Sequence, residues 1–184
     1  MCGIVGYIGS QRAQDFVVDG LEKLEYRGYD SAGIAVNTGG KAFAVIKKQG
    51  RLKNLADALE ASPLEGLAAI GHTRWATHGK PSDENSHPHF NADKTIVVVH
   101  NGIIENYAVL KQGLMKHRYS FKSETDTEVL VQLIEYIKTT DKTDLQTAVQ
   151  LALNQVVGAY AIVVLDRNNP DEMVAARKGS PLVV

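Results

Sequence analysis

Apolar positions along this chain change period several times, and the changes divide it into elements. Residues 2–8 are apolar and β-branched apart from their glycines, and predict a short buried strand. Phe16, Val17, Leu21 and Leu24 then recur at helical spacing, which predicts a helix over 11–24. Two apolar segments, 31–36 and 42–47, flank Asn37-Thr38-Gly39-Gly40 and predict a hairpin. Leu52, Leu55, Ala56 and Leu59 return to the helical period until Ser62-Pro63 stops the run. Residues 67–73 resume strand character.

A polar stretch rich in His, Asn and Pro covers 76–93 and reads as one long loop, a length typical of functional or disordered segments. Residues 95–100 predict an apolar strand that stops at Asn101-Gly102. Helices follow at 105–116, 125–138 and 144–157. The second carries a capping-box pattern at Thr125 and Glu128, the third the same pattern at Thr143 and Gln146. Strands over 160–165 and 173–177 close with a hairpin across 167–170. Hairpin-linked strands with grouped helices imply an α+β fold with largely antiparallel sheets. The apolar end, 179–184, lacks a stop signal and has the look of a chain cut from a longer one.

Composition narrows the classes. A chain of 184 residues with 44% hydrophobic content suits a single domain with a sizeable core. Twenty basic against twenty-one acidic residues remove the dominant electrostatic term of nucleic-acid binding. The single cysteine excludes an intrachain disulfide framework and fits a reducing, cytoplasmic setting. The N-terminus has no signal-peptide pattern, and the apolar runs are too short to span a membrane.

That cysteine is Cys2, the second residue. With Met1 removed it carries both a thiol and a free α-amine. Their reference pKa values, about 8.5 and about 7.7–8.0, leave each partly deprotonated near neutrality. A nucleophile with its own base is the logic of N-terminal-nucleophile hydrolysis. The same position also suits a small buried residue opening a strand.

Hydrolysis of a small amino-acid amide needs a cation, an anion, a nucleophile and oxyanion donors, and the chain offers each. Arg74, just after a strand, can bind a carboxylate bidentately or form an ordinary surface ion pair. Asn101-Gly102 can converge an amide and a backbone N–H on an oxyanion, or simply make a tight turn. Asp126 can meet an ammonium, or complement the start of a helix. Of the six histidines, His72, His78, His87 and His89 share one polar stretch, yet none has zinc-ligand spacing. Gly3, Gly6 and Gly9 do not make a dinucleotide fingerprint, and there is no phosphate-binding loop, so no metal or cofactor is expected. Tyr26-Arg27-Gly28-Tyr29-Asp30 has the composition of a structured loop.

Five segments, in order and spread over most of the chain, carry a resemblance. They are Cys2-Gly3-Ile4-Val5-Gly6-Tyr7-Ile8, residues 24–33, 71–81, His100-Asn101-Gly102-Ile103-Ile104-Glu105-Asn106-Tyr107, and 123–128. Together they resemble the class II glutamine amidotransferases, whose glutaminase domain is an N-terminal-nucleophile hydrolase. The resemblance implies a four-layer αββα sandwich and L-glutamine as substrate. It implies Cys2 as nucleophile with its α-amine as base, and Asn101 and Gly102 as the oxyanion hole. Arg74 would hold the glutamine α-carboxylate and Asp126 its α-ammonium. Thr77 and His78 would lie in a loop closing over glutamine, Arg27 would support the nucleophile region, and Trp75 would gate ammonia passage. Residues 1–184 would then be one glutaminase domain, partnered in the full-length homo-oligomer by a C-terminal sugar-phosphate isomerase domain.

Overall fold

The computed structural model of the chain describes residues 2–184, the side chain of Arg27 excepted. The chain opens with β1 (Gly3–Ile8), α1 (Ala13–Leu24) and a 3-10 turn over Glu25–Arg27, then β2 (Ser31–Asn37), β3 (Ala44–Gln49) and α2 (Leu52–Ala61). It continues through β4 (Ala68–Arg74), β5 (His89–Phe90) and β6 (Ile96–Ile104). The last elements are α3 (Tyr107–Lys116), α4 (Asp126–Asp141), α5 (Leu145–Gln155), β7 (Gly158–Asp166) and β8 (Met173–Lys178). The strands form two four-stranded sheets, ordered β1-β4-β2-β3 and β5-β6-β7-β8. Each pairing of these strands is antiparallel.

Three apolar layers fix the order of the sandwich. α1 and α2 bury Val17, Leu21, Leu52 and Leu55 against Ile34 and Val36 on the outer face of the first sheet. α4 and α5 bury Leu130, Ile134 and Leu145 against Val98, Ile162 and Val164 on the outer face of the second. Between the sheets, Ala35 and Ile70 meet Val97, Val99, Val163 and Leu165. Helix, sheet, sheet, helix is the four-layer αββα arrangement.

Strand alternation then decides which residues enter the middle layer. Along β4, Ile70 faces inward with His72 and Arg74 at the same parity, while Ala69 and Gly71 pack toward α1. Along β6, Val97 and Val99 face inward with Asn101, while Val98 and Ile104 face the helices.

Boundaries differ from the pattern in four informative places. β6 does not stop at Asn101-Gly102 but runs to Ile104, paired throughout with β7 (Asn101↔Ala161, Gly102↔Tyr160). The long loop over 76–93 contains β5, whose His89 pairs with Val98. Thr125 caps α4 by accepting the Glu128 N–H at 3.3 Å, but Glu128 does not return the bond. Its carboxylate instead takes the N–H groups of Lys122 and Ser123 at 2.9 and 2.6 Å. α5 is capped by Asp144, which accepts the Thr147 N–H at 2.7 Å, one residue later than the Thr143–Gln146 pattern.

Candidate active site

The antiparallel register of β1 on β4, with Gly3 opposite Thr73, carries Cys2 to the end of β4, which Arg74 closes and Trp75 follows. The Trp75 N–H donates to Cys2 Sγ at 3.1 Å, and Sγ lies 3.6 Å from the Trp75 carbonyl oxygen. Behind it the Gly3 N–H donates to Thr73 Oγ1 at 3.1 Å. Burial pushes the Cys2 thiol up from its ordinary value, while the bond from Trp75 and the Arg74 charge pull the other way. Met1, and with it the expected processing, lies outside the described residues.

Arg74 is buried, its side chain only 3% exposed. One guanidinium nitrogen, Nη2, donates to the carbonyl oxygens of His78 and Gly79, the latter at 3.1 Å. The other, Nη1, has no hydrogen-bond partner, although Asp30 Oδ1 stands 4.0 Å away. A buried cationic donor left unsatisfied carries a desolvation cost that an incoming anion would remove. The ordinary surface ion pair is thereby ruled out for Arg74.

Asp30 also clamps the turn after β4. Its N–H donates to the Arg74 carbonyl at 2.7 Å and its Oδ2 accepts the Ala76 N–H. Sequence reasoning missed this residue, although it closes the aromatic Tyr26–Asp30 segment; the missing signal was a partner 46 residues away.

Asp126 begins α4 and is buried. Its Oδ2 accepts the Ile104 N–H at 2.8 Å, so the end of β6 fixes the carboxylate at the positive end of the helix dipole.

Gly102 sits in β6 at φ 134°, and a Cβ there would fall 2.0 Å from the Ala159 carbonyl oxygen. Only glycine fits. The tight-turn reading of Asn101-Gly102 therefore fails, because the pair continues a strand. The Asn101 Nδ2 donates to the Cys2 carbonyl at 3.3 Å.

Seven of the nine residues singled out from the sequence line one cavity of about 240 Å³: Cys2, Arg74, Trp75, Thr77, His78, Gly102 and Asp126. Asn101 is joined to it through Cys2. The side chain of Arg27 lies outside the described residues. The volume is smaller than the roughly 300–1,000 Å³ of drug-sized sites and suits a small molecule. Cation, anion and thiol thus face one small space.

Behind the cavity lies a band of buried histidines. The rings of His72 and His87 lie 4.2 Å apart between centroids, tilted by 45°, and His87 meets His89 edge-on at 4.8 Å. Thr127 Oγ1 lies 3.0 Å from His87 Nε2 and 2.9 Å from His100 Nδ1. Burial holds all four rings below their ordinary pKa, His72 down to about 3. Neutral rings can lie this close together. Among the described residues no group of three or more His, Cys, Asp or Glu side chains could hold a metal ion.

This site and fold define a class. The family model for the glutamine amidotransferase domain matches residues 72–182, and the chain belongs to that family. Over all 184 residues it is 55% identical to the glutamine–fructose-6-phosphate aminotransferase (isomerizing) of Bacteroides thetaiotaomicron and 56% identical to that of Clostridium perfringens. The match takes in 100% of this chain and 30% of each relative, so the chain spans under a third of their length. Among solved structures, the glutamine PRPP amidotransferase of B. subtilis, complexed with ADP and GMP, superposes with a TM-score of 0.80 at 30% identity. The superposition covers 96% of this chain and 37% of that one. The αββα architecture is thus that of an N-terminal-nucleophile amidotransferase. No helix among the described residues is long and apolar enough to cross a membrane.

Proposed function

We propose that this chain is a glutaminase domain that hydrolyses L-glutamine to L-glutamate and ammonia through a γ-glutamyl thioester on Cys2. The Cys2 sulfur attacks the carboxamide carbon, and the α-amine freed by removal of Met1 accepts the thiol proton and delivers it to the leaving nitrogen. The C–N bond breaks and ammonia departs. Water then attacks the thioester carbonyl, the C–S bond breaks, and glutamate leaves with the thiol restored. The Asn101 amide and the Gly102 N–H stabilise the oxyanion in both steps, the kind of term that dominates acyl transfer.

Arg74 takes the α-carboxylate on its unpartnered Nη1, and Asp126 takes the α-ammonium. Thr77 and His78 cover the bound amino acid, Trp75 stands at the exit for ammonia, and Arg27 supports the nucleophile. In the longer protein, residues 1–184 would feed ammonia to a following isomerase domain that converts fructose 6-phosphate to glucosamine 6-phosphate, in a cytoplasmic homo-oligomer. The names of the relatives support the fructose 6-phosphate and isomerising part of that reading.

One observation carries the proposal. A thiol, a buried guanidinium with a free donor and a helix-start carboxylate share a cavity sized for one small zwitterion. Cys2→Ala should abolish glutamine turnover while isothermal titration still detects glutamine binding. Substantial residual turnover would remove Cys2 from the nucleophile's role.

A further inference from the structure

The facing sheets set the ring of His72, on the inner face of β4, against the side chain of Asn101, on the inner face of β6. His72 Nε2 lies 2.8 Å from Asn101 Oδ1 and 3.1 Å from the carbonyl oxygen of His100. The ring is fully buried, and its other nitrogen, Nδ1, has no partner.

Hydrogen-bond chemistry fixes the protons in this chain of contacts. The Cys2 carbonyl can only accept, so the Asn101 atom facing it at 3.3 Å must be the NH₂ group. That orientation turns Oδ1 toward His72. Both oxygens near His72 Nε2 are then pure acceptors, and Nε2 must carry the ring's proton. The His100 carbonyl holds this tautomer whether or not Asn101 moves. The tilted contact with the His87 ring, 4.2 Å between centroids, further restrains it. Asn101 is thereby held at both ends, with its oxygen on a fixed donor and its N–H groups toward the nucleophile's residue.

We infer that His72 is a positioning residue for the oxyanion hole, holding the Asn101 carboxamide by its oxygen so that its N–H groups face the Cys2 reaction centre. The inference rests on the glutaminase reading and extends it to a residue that touches neither substrate nor sulfur. An Asn lacking this anchor can rotate its amide and present an oxygen to a developing oxyanion, which repels it. The role differs from packing, since it acts only through Asn101.

The test is a double-mutant cycle in this chain, scored by kcat and KM for glutamine. His72→Phe should lower kcat at least tenfold, bounded by the roughly hundred- to thousandfold cost of losing an oxyanion donor outright, with KM little changed. His72→Gln, which can still donate to Oδ1, should recover part of that loss. In an Asn101→Ala background, His72→Phe should cost no further kcat, because nothing is left to position. Independent, multiplying losses would overturn the inference, as would a fall in KM and kcat that His72→Gln does not rescue.

The ring itself gives a readout that needs no variant to fold. A long-range 1H–15N spectrum of the wild-type chain should show His72 with its proton on Nε2 between pH 5 and 8. A proton on Nδ1, or on both nitrogens, would overturn the inference even with full activity. A wild-type chain without glutamine turnover would defeat the glutaminase reading instead, leaving the tautomer to decide the anchoring of Asn101.

Discussion

The layer between the two sheets has two ends built from the same strands. At one end, Ile70 of β4 meets Val97 and Val99 of β6 in a dry apolar core. Two residues further along each strand, at the same parity, the layer becomes His72 against Asn101, with Arg74 and the cavity beyond. Backbone geometry scarcely changes between them; what changes is the filling. An apolar end can be satisfied by volume alone, whereas a polar end must assign a partner to each donor and acceptor. The atoms left without partners there, Arg74 Nη1 and His72 Nδ1 among them, are concentrated around the site. That concentration separates a binding end from a structural end.

The contrast can be broken most forcefully with acid. His72, His87, His89 and His100 are held neutral in the fold by burial, while an unfolded chain protonates its histidines below about pH 6.5. Folded pKa values below the unfolded ones favour the fold above pH 6.5, and that advantage drains away as pH falls toward about 3, the value to which His72 is drawn. A ring held neutral in the fold while the unfolded chain protonates it costs up to about 1.4 kcal/mol per pH unit, and the four buried rings act in the same direction. Urea unfolding at pH 7.5 and pH 5.5 should show that loss. A flat profile would mean that the rings take up protons in the folded chain as readily as in the unfolded one.

Smaller in effect, Arg74→Ala removes the cation proposed for the substrate carboxylate. Leaving one partner of a buried pair uncompensated costs about 3 kcal/mol or more, so KM for glutamine should rise about a hundredfold with kcat changed far less. Steady-state kinetics over a wide glutamine range would show it, and an unchanged KM would return Arg74 to a purely structural part.

Smallest is the apolar end. Ile70→Val should lower stability by about 1 kcal/mol and the melting temperature by about 2–4 °C, with kcat and KM untouched. A kinetic change from that one methylene group would show that the two ends are not independent.

Much of this was legible in the sequence, and the limits have physical causes. Period-2 and period-3.6 patterning located the helices and long strands, because each buries one face. Cys2, Arg74, Asn101, Gly102 and Asp126 could be named because amide hydrolysis demands those groups. The course of β6 through Asn101-Gly102 was not legible. Asn-Gly is a turn signal, and only the closeness of the Ala159 carbonyl shows why glycine is needed in a strand. Asp30 and His72 escaped for a related reason: their partners are distant in sequence, Ala76 brought to Asp30 by the pairing of β2 with β4 over 46 residues, and Asn101 to His72 by the packing of one sheet on the other over 29. The α5 cap was misplaced by one residue because Thr143 and Asp144 both make good caps and local pattern does not choose between them.

Everything proposed for this site depends on Cys2 being a free, substrate-directed nucleophile in the cavity. Intact mass spectrometry before and after incubation with the electrophilic glutamine analogue 6-diazo-5-oxo-norleucine tests it most directly. The expected result is a chain lacking Met1 that gains one adduct, mapped to Cys2 and blocked by glutamine. A chain that retains Met1, or a processed chain that gains no adduct, would contradict it and leave the cavity as an amino-acid binding site without the chemistry.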